Sequence, residues 1–149
     1  MSTMDTSLRL LRIVWAALLM AIAAYIVIGE RVASSRPSAS PLIFRAIALV
    51  AISTVVIIFV VRRLLVSRAV QALGKNPEDQ PAFLRWRGGS IATFALCEAI
   101  ALYGFVLRMQ GFTLSQVAPF YISGLLLMVY FGPRRPVSND MSASASATR

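Results

Sequence analysis

The spacing of its charges constrains this chain more than any other feature. Four runs are nearly free of them: Ile13 to Gly29, Ala46 to Val61, Gly88 to Leu107 with Glu98 as its only charged residue, and Met109 to Pro133. Each holds roughly 16–25 residues, and about 20 apolar residues cross a hydrocarbon core of ~30 Å at ~1.5 Å per residue. Backbone polar groups must be satisfied inside lipid, so such runs fold as helices; barrel strands would be about 10 residues long and would alternate. Composition agrees: 58% of residues are apolar, 14% are charged and the mean hydropathy is +0.73, against ~45–50% apolar residues in an ordinary soluble domain. The sequence therefore predicts an all-α protein, a four-span transmembrane helix bundle with a long cytoplasmic helical hairpin between spans two and three. The spans fall at 10–29, 43–66, 86–107 and 115–132, within a single integral membrane domain over 1–136.

Basic residues set the orientation, because short loops rich in Lys and Arg stay in the cytoplasm. Arg9 and Arg12 precede span one, Arg62, Arg63, Arg68, Lys75, Arg85 and Arg87 lie between spans two and three, and Arg134, Arg135 and Arg149 follow span four. On the other side stand Arg31, Arg36, Arg45 and Arg108. Both termini are thus expected in the cytoplasm, with a bacterial plasma membrane as the expected location. The net charge of +9 is read as this sorting plus attraction to anionic lipid headgroups. The bilayer is the expected partner, and nucleic acid is not. A nucleic-acid surface would need basic residues interleaved with stacking aromatics outside the membrane. Only "FLRWRGG" hints at that, and Trp86 within it reads as an interfacial anchor between snorkelling Arg85 and Arg87.

Arg9, Arg12, an apolar run and "AIA" at 21–23 together resemble a cleavable signal peptide. The apolar run continues through "AYIVIG", which favours an uncleaved first span. Cys97 is the single cysteine and there is no histidine. Histidine-based zinc or haem sites and catalytic triads are excluded, no nucleotide-binding or Cys-pair motif is present, and no cofactor or metal is expected. Cys97 itself reads as a small packing residue. "ERVASSRPSASP" at 30–41 is a Ser/Pro-rich outer loop, and 137–149 is small, polar and expected to be disordered.

The middle of the chain carries helix punctuation. "RRLLVSRAVQALG" keeps Leu64, Leu65, Val66, Val70 and Leu73 in helical order, and Gly74 follows where a helix end favours a left-handed residue. Asn76 suits an N-cap, Pro77 the first helical position, and Glu78 and Asp79 the positive end of the dipole. Span two is thus expected to run to residue 73 and span three to begin at 77, with Gly74, Lys75, Asn76 and Pro77 as the cytoplasmic turn. Thr113 and Gln116 have capping-box spacing ahead of span four, which puts Pro119 near the first turn.

The stretch "ALGKNPEDQPAFLRWRGGSIATFALCEAIALYGFVL" resembles the ring-forming proteolipid, the c subunit, of rotary ATP synthases. Lys75, Asn76, Pro77 and Glu78 are similar to that family's polar loop, with Lys for Arg. Glu98, flanked by Ala95, Leu96 and Ala99 and followed by Tyr103, Gly104 and Phe105, is similar to its ion-binding carboxylate. The resemblance implies a hairpin with a cytoplasmic loop and proton or sodium translocation through Glu98. Span two lacks the family's close-spaced glycines, and two further spans are present.

A charged group at the bilayer centre costs ~2.5 kcal/mol or more, so Glu98 should face other helices and be neutral or paired. Ser53 and Thr54 in span two and Ser123 in span four lie at matching depth, and Glu98 is expected to face Ser53 or Thr54. Ala92, Ala95 and Ala99 form a small-residue stripe suited to close helix packing. Two functions fit. In the first, a small non-enzymatic membrane protein packs with itself or with another membrane protein, Glu98 being a buried interhelical contact. In the second, a proteolipid-like component translocates protons or sodium, with Glu98, Ser53 and Thr54 binding the ion.

Overall fold

The computed structural model describes residues 3–32, 40–76 and 79–133, and every described element is helical. Pro77 of the expected turn, Glu78 after it, most of the 30–41 loop and the 137–149 tail lie outside the described residues. Helix α1 spans Thr3–Val32 and α2 spans Pro41–Val61. A π-helical segment, Arg62–Ser67, joins α2 without a break to α3, Arg68–Lys75. Helix α4 spans Gln80–Met109 and α5 spans Leu114–Tyr130. Three rods, α1, the continuous α2–α3 rod and α4, are long and apolar enough to cross a membrane, whereas α5 is a shorter apolar helix of 17 residues.

Helix α4 is the centre of the bundle. Helix α5 packs along it most extensively, and α1 and the α2–α3 rod also dock chiefly on α4. The rod and α4 run antiparallel: Thr54 meets Tyr103, and Gly89 meets Val66. Helix α1 runs parallel to α4, with Tyr25 against Glu98 and Glu30 against Arg108. Helices α2 and α5 are bridged at both ends by aromatic pairs, Phe44 with Phe112 and Phe120 at 5.4 and 6.0 Å, and Phe59 with Phe131 at 5.8 Å. Between those bridges an apolar crevice of ≈ 180 Å³ opens beside Ala51, Pro119 and Ser123.

The packed stripe of the α2–α3 rod explains the π-helical segment. Its buried positions are Ala51, Thr54 and Ile58, then Val66, Ala69 and Leu73. Each triplet has helical spacing, but the step from Ile58 to Val66 is one residue longer than two α-turns of ~3.6 residues each. A π turn absorbs one additional residue, so the stripe stays against α4. Gly89 makes room for it: a Cβ there would lie 3.0 Å from both Leu65 Cβ and Val66 Cγ2.

The helix ends correct two expectations. Gly74 lies inside α3, and among the described residues it is Gly111 that has a left-handed backbone, at φ 88°. The first helix of the hairpin runs to Lys75 and is stopped by Asn76, which is extended at φ −140°, ψ 98°. Asn76 is therefore a C-cap. The N-cap of α4 is Asp79, whose side chain accepts from Ala82 N–H at 3.2 Å, with Pro81 in the first turn. Both Asn-Pro and Asp-Gln-Pro carry cap chemistry, and an aspartate adds favourable charge at the helix N-terminus. At the far end of α4, Gly111 N–H donates to Arg108 C=O at 3.1 Å and Phe112 N–H to Leu107 C=O at 3.3 Å. That is the Schellman pattern, with buried Phe112 and Leu107 as its apolar contact. Thr113 and Gln116 form the capping box of α5, Thr113 N–H donating to Gln116 Oε1 at 2.9 Å. Pro119 sits deeper than the first turn, inside α5, where its missing N–H removes one helical hydrogen bond. Trp86 is buried, 3% exposed, and packs on Phe83 at 5.9 Å. It is a core residue of the hairpin and not an interfacial rim.

Candidate functional site

Glu98 sits on the face of α4 that meets α1. Its Oε1 accepts a 2.6 Å hydrogen bond from Tyr25 Oη, a length typical of a hydroxyl donating to a carboxylate. Both side chains are half-buried. The tyrosine ring is fixed by Phe105, with centroids 5.5 Å apart. The approach is set by Gly29, where a Cβ would lie 3.4 Å from Arg108 Cγ and 3.6 Å from Phe105 Cδ2. Tyr25, one turn before Gly29, faces the turn of α4 that follows Glu98. Helical side chains lean toward the N-terminus, so the phenol reaches back to the carboxylate.

The expected partners of Glu98 do not meet it. Ser53 is exposed and donates to Leu49 C=O of its own helix at 2.9 Å. Thr54 is buried and donates to Val50 C=O at 2.8 Å, with Tyr103 Oη at 3.5 Å. Short hydroxyl side chains are satisfied locally by the carbonyl one turn back, whereas the longer tyrosine crosses to another helix. The pairing expected from matching depth is therefore corrected to Tyr25. Ser123 is half-buried beside the apolar crevice between α2 and α5. Among the described residues, no group of three His, Cys, Asp or Glu side chains comes together.

A second polar contact ties the same two helices near their C-terminal ends. Arg108 Nε donates to Glu30 Oε1 at 2.8 Å and Nη2 to Glu30 Oε2 at 3.1 Å, while Nη1 donates to Phe112 C=O at 2.9 Å. One guanidinium thus joins α1, α4 and the α4–α5 turn. The pairing is bidentate, which fixes orientation as well as charge. Tyr121, buried at 5% exposure, places its Oη near Gly29, and that oxygen has no hydrogen-bond partner among the described residues.

Close packing of α4 uses a different stripe from Ala92, Ala95 and Ala99. Ala95 is exposed, and Ala92 and Ala99 are only half-buried. The buried small residues that face α5 are Cys97, Ala101 and Gly104. A Cβ on Gly124 would lie 2.9 Å from Cys97 C=O and 3.1 Å from Ala101 Cβ; one on Gly104 would lie 2.9 Å from Phe120 Cβ. Such approaches are how membrane helices associate when neither apolar face gains by leaving lipid.

No family model matches the chain, and no curated protein or solved structure matches it significantly.

Proposed function

We propose that this chain is a non-enzymatic, four-span integral membrane protein that packs with a second copy or with another membrane protein, and that Glu98 is a structural interhelical contact. The observation that carries the role of Glu98 is the 2.6 Å bond from Tyr25, which gives the carboxylate a defined partner inside the bundle. Support for the bilayer comes from large apolar side chains turned outward on α1, α2 and α5: Met20 at 70% exposure, Leu49 at 66%, Ile52 at 62% and Leu126 at 61%. In water that belt would drive aggregation; in lipid it is the solvent-facing surface. Helix α5 supplies the fourth span. Its 17 residues give ~25 Å of helix, and a helix somewhat short for the ~30 Å core is accommodated by local thinning and by interfacial aromatics. Tyr130 and Phe131 stand at its end. With the hairpin formed by α3 and the start of α4 in the cytoplasm, both termini lie there too.

The ion-translocating alternative rests on the half-buried state of Glu98 and on the resemblance around it to the ring proteolipid. Glu98→Gln separates the two roles. Glutamine keeps an acceptor for Tyr25 and cannot carry a proton. A structural Glu98 predicts unchanged assembly for Glu98→Gln and no proton or sodium flux from wild-type protein in reconstituted vesicles across the neutral pH range. Flux in wild type that is lost in Glu98→Gln would overturn the structural role and establish the carrier.

A further inference from the structure

We infer that the seam between the start of α1 and the end of α5 carries a site for an anionic phospholipid, Arg12 taking the phosphodiester headgroup and Trp15 lying against the lipid beneath it. A crevice of ≈ 530 Å³ opens there, lined by Arg12, Trp15, Ala16, Gly132 and Pro133, within the ~300–1,000 Å³ of ordinary small-molecule sites. Its back wall is fixed by the way α5 ends. The carbonyls of Leu127 and Val129 accept from Phe131 and Gly132 N–H. Met128 C=O lies in the last turn, where helical donors run out, and accepts from Trp15 Nε1 at 2.9 Å. The indole is thereby tied to α5 with its N–H spent, so it offers the crevice an aromatic face and no donor. Ala16, Gly132 and Pro133 bring no polar side chain to the other walls. Arg12 is exposed at the rim, and among the described residues no hydrogen bond, ion pair or ring contact engages its guanidinium. Its fork of N–H donors matches the oxygens of a phosphate.

A lipid fits better than a free anion because a single charged side chain stands over apolar surface. Met20, one turn beyond Ala16, is exposed at 70%; Val129 and Leu125, one and two turns before Pro133, are exposed at 57% and 42%. Residues four apart share a helix face, so this surface continues the crevice along the seam, where acyl chains can lie. Arg12 and Trp15 are one turn apart, which puts the charge at headgroup level and the indole just beneath, the order in which a bilayer accommodates them. Charge selects the lipid: a headgroup with net negative charge is drawn to Arg12, whereas phosphocholine brings its own cation. The site rests on the proposal that the bundle is embedded in a bilayer with its termini in the cytoplasm, the side whose leaflet carries anionic lipid.

The test reads the lipid beside Trp15 by fluorescence. Trp15 and Trp86 are the two tryptophans, and Trp86→Phe leaves Trp15 as the single reporter. Should that variant not fold, the chain with both tryptophans serves, because Trp86 is buried in the hairpin at 3% exposure and adds a constant background. The full chain is reconstituted in phosphatidylcholine vesicles holding a minor fraction of lipid with brominated acyl chains, either phosphatidylglycerol or phosphatidylcholine, and the quenching is compared. Brominated phosphatidylglycerol is expected to be enriched beside Trp15 by roughly fivefold over brominated phosphatidylcholine, the effect of one arginine near a membrane surface. Arg12→Gln should remove that preference; Arg12 is exposed and unpaired among the described residues, so the substitution leaves the fold in place. Arg68→Gln, on the exposed side of α3, removes the same charge from the hairpin and should keep most of the preference. Equal quenching by the two brominated lipids with Arg12 present, or an equal loss in Arg12→Gln and Arg68→Gln, overturns the site. Loss of the preference on adding millimolar inorganic phosphate at constant ionic strength would assign a free-anion site and overturn the lipid. A chain that does not co-float with the vesicles fails the bilayer proposal instead.

Discussion

Replacing Gly124 with alanine perturbs a close backbone contact between α4 and α5 by a single methyl group. The new Cβ would lie 2.9 Å from Cys97 C=O, 3.1 Å from Ala101 N and 3.1 Å from Ala101 Cβ. Two of these three atoms are backbone, so no rotamer change relieves the overlap, and α4 and α5 must separate. Overpacking of this kind costs ~1–3 kcal/mol, and the backbone neighbours place Gly124 in the upper half of that range. Alanine gains ~0.5–1 kcal/mol over glycine within a helix. The net loss expected is therefore about 1–2.5 kcal/mol. Gly88→Ala is the matched control, because it is exposed in the same bundle with no atom within 4 Å of the added Cβ. It should be neutral or slightly stabilising. Reversible unfolding in mixed micelles, followed by helicity as denaturing detergent rises, measures both. Equal midpoints for Gly124→Ala and Gly88→Ala would refute the close α4–α5 seam.

The left-handed turn gives a second test: Gly111→Val, at φ 88°, should destabilise the α4–α5 connection by about 1–2 kcal/mol and speed amide exchange at Phe112, whereas Gly74→Val, inside α3 with open space around it, should cost less than ~1 kcal/mol. Equal effects would contradict the assignment of the left-handed position to Gly111, and a larger effect at Gly74 would mean that the two glycines have exchanged roles. For topology, single cysteines on a Cys97→Ala background should be labelled from outside intact cells at position Ser35, and at Asp79 only after permeabilisation. Labelling of the Asp79 position from outside would reverse the orientation.

The long helices, the hairpin and the capping box at Thr113 were legible because each has a local signal, either an uncharged run or a cap residue at fixed spacing. Where two local signals competed, the choice failed. Asn76 and Asp79 both have N-cap chemistry, and only the stopping of the rod at Lys75 shows that Asp79 starts α4. Gly74 and Gly111 both follow apolar helical runs, and the Leu107–Phe112 contact that selects Gly111 is tertiary. The π-helical segment left a trace, the eight-residue step from Ile58 to Val66, but it is visible only once the buried face is known. The partner of Glu98 was hidden for another reason. In an all-apolar helix, Tyr25 looks like any lipid-facing aromatic, and matching depth favours the short hydroxyls of Ser53 and Thr54. Those groups are consumed by their own helix, while the reach of tyrosine and the close approach at Gly29 bring α1 to the carboxylate. The alanine stripe failed similarly, because small residues lie on two faces of α4 and only the Cys97–Ala101–Gly104 face meets glycine and backbone on α5.

A double-mutant cycle between Tyr25 and Glu98 measures the structural role of the carboxylate most directly. Tyr25→Phe removes only the donor of the 2.6 Å bond and keeps the ring against Phe105; Glu98→Ala removes the acceptor. Unfolding free energies of wild type, both single variants and the double variant, taken in the same micelles, give the coupling. A bond that joins α1 to α4 inside the bundle predicts a coupling of ~0.6–2 kcal/mol, the range of interhelical hydrogen bonds in membranes. Additivity of the two substitutions to within about 0.3–0.5 kcal/mol would show that the pair does not hold the bundle together and would contradict a structural Glu98.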